Sequence, residues 1–588
     1  MAKSIFELPE TIKAPRTDPI YNCHAYLTKV PVAAIEPFIE TFSEAGEVVA
    51  DIFAGSGMTG LAALRVGRNA KLSDISVLGQ HIATGYLQNV PPDELQEAGA
   101  RVLRQARCAI GDMYQTTRIS DGQCQEMVRS VWSFTYTCPS CGYAFVYYKH
   151  LDESGKVANQ CPTCNEAFVK RLWPRSEDLP VSMVVRGECG KLVEQDISQA
   201  DLERIAKAVN DVRQRKVPSK TIDQTREMYS RSGLGKAGLT KTAMFFSPRN
   251  SIALLELWNA INAEKNERIK QKLRFAFTAI LPRASKRYQW GPKRPLNAQN
   301  QTYYIAPVYY EWNVFELYKR KVNASIKAIS YLFGENDLFS KTPSKVSYEL
   351  ASADKLEHLA NESIDYVFTD PPFGSNIFYA DMNLFHEAWL GKITEHKSEA
   401  VVHTTGKKKS GAQERYESLL RNAFEESFRV LKPGKHMSVV FGNSSGKIWG
   451  LVQRAMRSAG FKTVPVHVAI LDKGQRSVKG LNSGSEGVVT VDLIMTVQKP
   501  NVGQSADDGQ KLTSGDTDKL IGAAIRELES NDADNPSLVY ARILRKAIQS
   551  RIILDDLHLG DVLIALRNAG YSIDQSSGKL YKNELSDL

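Results

Sequence analysis

The feature that most constrains the fold of this chain is a short apolar strand that ends on glycines. Glu47-Val-Val-Ala-Asp-Ile-Phe53 reads as a buried strand, Ala54-Gly-Ser-Gly57 breaks it, and Thr59 to Val66 has helical spacing. Ala70 to Asp74 reads as a second strand. Strand, glycine loop, helix and strand, in that order, begin an open α/β sheet. Gly55 and Gly57 let the backbone turn sharply and approach a ligand closely. The third glycine of a dinucleotide fingerprint is missing and no Gly-Lys-Ser/Thr follows, which disfavours a phosphate cradle.

A second punctuated strand lies far downstream. Ile364 to Phe368 is apolar and runs into Asp370-Pro371-Pro372-Phe373, where two prolines end the strand in a rigid turn. Strand signals at Val346 to Leu350, Met437 to Phe441, Thr463 to Leu471 and Gly487 to Val497, with a helix from Tyr416 to Val430, read as the second half of the same sheet. Asp51 and Asp370 are 319 positions apart, far more than two βα units occupy, so most of 91–340 reads as insertion.

Within that insertion, 91–130 reads as helical, 199–216 as a charged amphipathic helix, 217–243 as loop, and Asn250 to about Ile280 as helical again. Residues 131–169 hold Cys138-Pro-Ser-Cys141 and Cys161-Pro-Thr-Cys164. Two Cys-x2-Cys knuckles at this spacing predict four thiolates around a structural zinc ion, with no open position for catalysis. Trp132, Tyr136, Tyr143, Tyr147, Tyr148 and Lys149 of the ribbon either face a partner or pack around a very small domain. The remaining cysteines, Cys23, Cys108, Cys124 and Cys189, read as buried thiols. Eight cysteines in 588 residues do not make a secreted disulfide framework.

The chain carries 75 basic and 66 acidic residues, a net charge of +9, which permits a polyanionic partner without requiring one. The local signal is Arg283 to Arg294, where Arg283, Lys286, Arg287, Lys293 and Arg294 interleave with Tyr288 and Trp290 and no acid intervenes. Cations for phosphates and rings for bases suit a nucleic-acid groove, and a solvated basic loop is the competing reading. Lys407-Lys-Lys409 is a weaker case of the same kind. No apolar run approaches the roughly 18 residues of a membrane helix, and the proline- and acid-bearing start does not read as a signal peptide. The expected location is cytoplasmic and nucleoid-associated. Residues 501–518 read as a polar linker, and 519–588 as a small helical or winged-helix-like unit.

The glycine loop closely resembles motif I of S-adenosylmethionine-dependent methyltransferases, and Asp370-Pro-Pro-Phe373 resembles motif IV of those acting on exocyclic amino groups of DNA bases. The resemblance implies that Asp51, Phe53, Ala54, Gly55, Ser56, Gly57 and Thr59 hold the methionine part of the cofactor, with Asp74 on the ribose. Ser352-Ala-Asp354 matches the motif III position, so Asp354 is expected at the cofactor adenine. Tyr21 to Pro31 resembles the motif X segment, which closes the pocket and brings in His24 and Lys29. Zinc-ribbon-bearing, adenine-specific methylases of prokaryotes look nearest, and Tyr379-Ala-Asp381 also resembles them.

The chemistry explains the tetrapeptide. An exocyclic amine is a poor nucleophile because its lone pair is delocalised into the ring. The Asp370 carboxylate and the Pro371 carbonyl can accept its two N–H bonds and aim that lone pair at a methyl donor. Pro372 fixes the turn, and Phe373 is expected to stack on a flipped base. No cysteine lies near position 370, which disfavours a C5-cytosine mechanism.

The sequence therefore predicts an α/β chain: a Rossmann-like methyltransferase sheet interrupted by a large insertion with a four-cysteine zinc ribbon, plus a small, mostly helical C-terminal domain. The expected units are 1–90, 91–340 with the ribbon at 131–169, 341–500, the linker, and 519–588. The expected function is transfer of a methyl group from S-adenosylmethionine to N6 of adenine in duplex DNA. The expected setting is modification or phage defence, with any restriction or defence partner a separate protein. Alternatives are N4 of cytosine, an RNA amino group, or a catalytically silent nucleic-acid-binding subunit.

Overall fold

The computed structural model describes residues 8–13, 18–292, 303–334, 344–374, 377–403, 410–462, 464–472, 491–504, 516–528, 535–574 and 579–583. Lys293, Arg294 and Lys407 to Lys409 lie outside these ranges.

The main sheet has eight strands: β1 (Thr11–Lys13), β2 (Val48–Asp51), β3 (Asn69–Asp74), β4 (Val346–Leu350), β5 (Ile364–Thr369), β6 (Leu431–Phe441), β7 (His467–Asp472) and β8 (Val491–Gln498). Their order across the sheet is β1-β7-β8-β6-β5-β2-β3-β4. All neighbours run parallel except β8, which is antiparallel to β6 and β7. The central strand β5 is buried at every position. That is why Ile364 to Phe368 reads as an unbroken apolar run rather than an alternation.

Apolar layers cover both faces of the sheet. Ile35, Phe38, Leu61 and Ile82 pack on one face with Val49 and Phe368. Leu420, Phe424, Trp449 and Leu451 pack on the other with Ala50 and Val367. Pro433-Gly434 does not stop β6. The register against β5 jumps from Ile364↔Leu431 to Tyr366↔His436, so the turn is absorbed as a bulge, with Gly434 at φ 76°.

Between β3 and β4 the chain builds a second, antiparallel sheet in which strands Val308–Trp312, Arg129–Thr137, Arg175–Arg186 and Leu192–Gln195 lie side by side. The helix expected over 91–130 ends early, running Pro92–Ile110 and stopping at Gly111. Strands Gln115–Thr117, Cys124–Glu126 and Arg129–Thr137 follow. Burial on both sides of Ser130 to Tyr136 is what favours strand there. A buried ion pair ties this sheet to helix Pro248–Asn262. Arg249 meets Glu311, which also accepts from Ser130 Oγ and Ser247 Oγ at 2.6 Å and from Trp132 Nε1 at 3.0 Å.

The insertion shares its core with the helix that follows the Pro-Pro turn. In α3 (Tyr379–Leu390) every residue from Ala380 to Trp389 is buried. Phe385 stacks on Phe246 at 4.9 Å, Trp389 meets Phe277 at 5.0 Å, and Arg226 pairs with Asp381 at 3.1 Å.

Helices Thr517–Leu528, Pro536–Gln549 and Leu559–Asn568 and the hairpin Tyr571–Ile573/Leu580–Lys582 pack on the main sheet's second layer. The Gly446 amide donates to His558 Nδ1 at 3.0 Å across that contact. Of the four cysteines outside the knuckles only Cys23 is buried. Cys108, Cys124 and Cys189 are exposed, contrary to expectation: the first two sit on solvent-facing sides of a helix and a strand, and Cys189 lies in an exposed turn.

Candidate active site

β2 and β5 are neighbours, but the chain leaves them in opposite directions across the sheet. Their carboxyl ends therefore open a crevice at the switch point. A cavity of about 910 Å³, open to solvent, sits there and is lined from both ends. β2 delivers the glycine loop, and β5 delivers Asp370. The two ends are stitched together. Thr369 Oγ1 donates to Asp51 Oδ1 at 2.8 Å, Thr59 Oγ1 donates to Asp51 Oδ2 at 2.6 Å, and the Phe53 amide donates to Asp51 Oδ1 at 3.1 Å. Burial outweighs these donors and pushes the Asp51 carboxyl up to about 7.

The loop is shaped by close approach. The Gly57 amide donates to the Ala54 carbonyl at 2.7 Å, and Gly55 and Gly57 take φ of 46° and 81°. Asp74, at the end of β3, accepts from the Gly55 amide at 2.8 Å and the Ser76 amide at 2.9 Å. Its carboxyl is raised by burial against those donors. α2 (Val77–Leu87) comes so near that a Cβ on Gly79 would lie 2.3 Å from the Gly55 carbonyl oxygen.

Of the residues expected at the cofactor, Lys29, Asp51, Phe53 and Ala54 line the cavity, as do Gly55, Ser56, Thr59 and Asp74. Gly57 lies behind them, capping α1 (Met58–Arg65). Ser352 and Ala353 line the wall, whereas Asp354 is half-buried beside them and does not. His24 is also elsewhere. Its ring is buried between Ala25 and the insertion, with Nδ1 at 2.8 Å from the Ala25 carbonyl and Nε2 at 3.0 Å from Thr278 Oγ1. Burial holds it well below the usual histidine range, so it is neutral. Lys29 Nζ donates to the Tyr21 and His24 carbonyls at 2.7 Å each, which folds the segment back on itself; burial brings this amine down to about 7.

In the tetrapeptide, Asp370 and Pro372 line the cavity and Pro371 is buried behind them. Tyr416 Oη, on α4 (Ala412–Val430), donates to the Pro372 carbonyl at 2.5 Å, and Asn443 Nδ2 donates to the Phe373 carbonyl at 3.0 Å. The Phe373 ring is half-buried, edge-on to Phe441 at 5.2 Å, and is not among the residues that line the cavity. Of the aromatic residues, Tyr26, Phe53, Phe368 and Tyr379 line it, the Tyr26 and Tyr379 ring centroids lying 6.1 Å apart.

Sequence reasoning missed Asn383, Thr394 and Glu399, which also line the cavity. Asn383 Nδ2 donates to Ser76 Oγ at 3.0 Å. Glu387 of α3 accepts from the Leu78 amide at 3.1 Å and the Thr394 amide at 2.8 Å, tying α2, α3 and the Thr394 segment together. No local pattern marks these residues: Asn383 and Thr394 meet Ser76 and Val77 more than 300 positions away, and Glu399 meets the Tyr379 and Ala380 amides from 20 and 19 positions away.

The basic stretch is not one exposed groove. Arg283 is exposed, but Arg287 and Tyr288 are buried, the guanidinium of Arg287 lying 5.4 Å from the rings of both Tyr303 and Phe385. Lys286 and Trp290 are half-buried, with Lys286 Nζ 3.9 Å from Asp178 and the Trp290 ring edge-on to Tyr148 at 5.4 Å.

The four knuckle cysteines converge, all sulfurs lying within 4.8 Å of one another. Cys138 Sγ is 3.6 Å from Cys164 Sγ, and Cys141 Sγ is 3.7 Å from Cys161 Sγ. Thiolates at about 2.3 Å from a tetrahedral zinc ion stand about 3.8 Å apart, so the set fits that ion. The ribbon's rings pack inwards. Phe145 stacks on Phe168 at 4.6 Å, Trp132 and Tyr136 are buried, Tyr143, Tyr147 and Tyr148 are half-buried, and Lys149 alone of the expected set is exposed.

Among the described residues no helix is long and apolar enough to cross a membrane. No curated protein matches the chain. Two solved structures overlap it in part. A Thermus thermophilus protein assigned as a DNA modification methylase is 16% identical, with 32% of this chain and 80% of that one covered and a TM-score of 0.16. The 4+2 cyclase SpnF is 13% identical, with 30% and 63% covered and a TM-score of 0.15. The N6/N4 family model of DNA methylases matches residues 3–90, the stretch that carries Tyr21 to Pro31, the glycine loop and Asp74. That match makes residues 3–90 similar to the N6/N4 family of DNA methylases.

Proposed function

We propose that the chain methylates N6 of adenine in duplex DNA, on a base turned out of the helix into the cavity between the glycine loop and Asp370. The observation that carries this reading is that the two motif loops, 319 residues apart in sequence, line one cavity at the switch point of a parallel sheet. The strand order supports a Rossmann-like methyltransferase core. The Asp before Pro-Pro favours adenine over cytosine by family resemblance.

When bound, S-adenosylmethionine supplies an electrophilic sulfonium methyl. The glycine loop, Asp74 and the wall at Ser352 and Ala353 would hold it, with Lys29 on the cavity side of the folded-back segment. Asp370 orients the amine, and the prolines behind it keep that carboxylate from swinging away. Tyr26 and Tyr379 offer the rings against which a flipped base can lie. Among the described cations of the basic stretch, Arg283 is the one placed to meet a phosphate.

The close packing at Gly79 makes a test of the cofactor half. Gly79→Ala drives a methyl group into the Gly55 carbonyl, and overpacking of this kind costs about 1–3 kcal/mol. The expected result is a lower melting temperature with cofactor affinity reduced about tenfold or more, read by calorimetric titration. Unchanged affinity would remove the loop from the cofactor site.

The function itself is tested by incubating the protein with methyl-labelled cofactor and duplex DNA, single-stranded DNA or RNA, then digesting to nucleosides. Label on N6-methyladenine in DNA is expected. Label on N4-methylcytosine would move the target, and label only in RNA would move the substrate. Cofactor binding without transfer would make this a silent subunit or one that needs a separate modification or defence protein.

A further inference from the structure

Glu399 is a second carboxyl on the wall of the cavity that holds Asp370, and the orientation of an amine does not require it. Its Oε1 accepts from the backbone amides of Tyr379 and Ala380, the latter at 3.2 Å, at the start of α3. The side chain is therefore held at one oxygen. Among the described residues nothing bonds to Oε2. Asp370, Tyr379 and Glu399 all line this one cavity.

We propose that Glu399 reads the edge of the target base: as a carboxylic acid it donates from Oε2 to the ring nitrogen beside the exocyclic amine, while Asp370 engages the amine. This rests on the amino-methyltransferase reading given above. An oxygen that already accepts two N–H bonds is a poor place for a proton, so the acid carries it on Oε2. In adenine N1, and in cytosine N3, is an acceptor next to the amine. In guanine the ring nitrogen beside the amine on the Watson–Crick edge, N1, carries a hydrogen and would oppose a second donor; the acceptor N3 lies on the amine's other side, next to the sugar. A site with Asp370 on the amine and a fixed donor on the neighbouring Watson–Crick nitrogen thus selects adenine or cytosine, whose Watson–Crick edge sets an amine beside an acceptor nitrogen, over guanine, whose edge sets it beside N1–H.

The surroundings keep the proton in place. Burial, then the nearby Asp381 and Asp74 carboxylates, push Glu399 up to about 8 against the two amide donors. The other titratable groups facing the cavity are Asp370, Asp51, Asp74, Tyr26, Tyr379 and Lys29. Asp381 is paired with Arg226, and Glu387 further along α3 is held by Leu78 and Thr394. Asp51 and Lys29 each lie near 7, so a wild-type pH profile alone would mix several groups. The comparison with a variant isolates Glu399.

Glu399→Gln keeps an acceptor for the two amides and places an N–H donor where Oε2 stands, at every pH. Wild type should lose kcat/KM for DNA about tenfold per pH unit above about 8, as the acid deprotonates. Glu399→Gln should retain activity within about fivefold at pH 7 and lack that limb. Glu399→Ala should lower kcat/KM for DNA about 10- to 100-fold, because the ring nitrogen is left unpaired. Cofactor affinity should be unchanged in both variants.

A Glu399→Gln enzyme that keeps the limb would overturn the proposal. So would one whose cofactor affinity falls while its DNA KM stays put, which would assign Glu399 to the cofactor end. If the Ala variant does not fold, the Gln variant decides. A wild type that methylates no DNA base, with cofactor bound, would instead refute the reading on which the proposal rests.

Discussion

Asp370→Ala is expected to lower methyl transfer by about 10²–10³-fold or more while leaving melting temperature and cofactor affinity close to wild type. The magnitude is that of removing one preorganised electrostatic partner from a closed site. The reason lies in where Asp370 sits. Thr369 and Asp51 stitch β5 to β2 just before it, and Tyr416 and Asn443 hold the carbonyls of Pro372 and Phe373 just after it. The turn is held on both sides by these bonds, and the loss is expected at the amine. Asp370→Asn retains an oxygen but not the charge, and should fall between the two. Single-turnover rates with saturating DNA separate this loss from weaker binding. An Asp370→Ala enzyme that methylates at the wild-type rate would sink the mechanism.

The largest expected stability effect is at the knuckles. Structural zinc contributes about 10–16 kcal/mol in small zinc-binding units, and there binding energy is folding energy. Cys138 and Cys161 are the buried pair of the four. Wild type should carry about one zinc ion per chain by elemental analysis. Cys138→Ser should lose it and expose the stack of Phe145, Phe168 and Trp173. Protease cleavage within 138–164, at rates at which wild type is untouched, is the matching readout. Strand Arg129–Thr137 runs directly into Cys138, so the damage should spread into the second sheet. A full zinc complement in Cys138→Ser would refute the four-cysteine site.

The two loops that make the cavity were legible in the sequence because their chemistry is local. Glycines at 55 and 57 and prolines at 371 and 372 impose backbone shapes that no distant contact overrides. The four knuckle cysteines were legible for the same reason. The second sheet was not. Ser130 to Tyr136 is buried on both faces, so the strand has neither alternation nor a helical stripe to mark it. Arg287 was misread as a phosphate contact because its composition fits one, while its burial is decided by Tyr303 and Phe385. Phe373 and Tyr379 show the same limit. The motif pointed to the aromatic next to the prolines, whose ring packs edge-on to Phe441, while Tyr379 lines the cavity. His24 matched a motif too, but its ring is taken up by Ala25 and Thr278, the latter 254 positions away.

The burial of α3 inside the insertion's core has a consequence for how such a chain can be recombined. Residues 91–340 cannot be exchanged as a cassette through cuts at the two loops alone. Phe246, Phe277 and Arg226 on the insertion, and Phe385, Trp389 and Asp381 on α3, are two halves of one interface, and a foreign cassette would strand an aspartate beneath a mismatched surface. A chimaera that keeps its methylation chemistry must inherit α3 together with the insertion. Inheritance of one without the other should leave insoluble protein rather than an enzyme of altered preference.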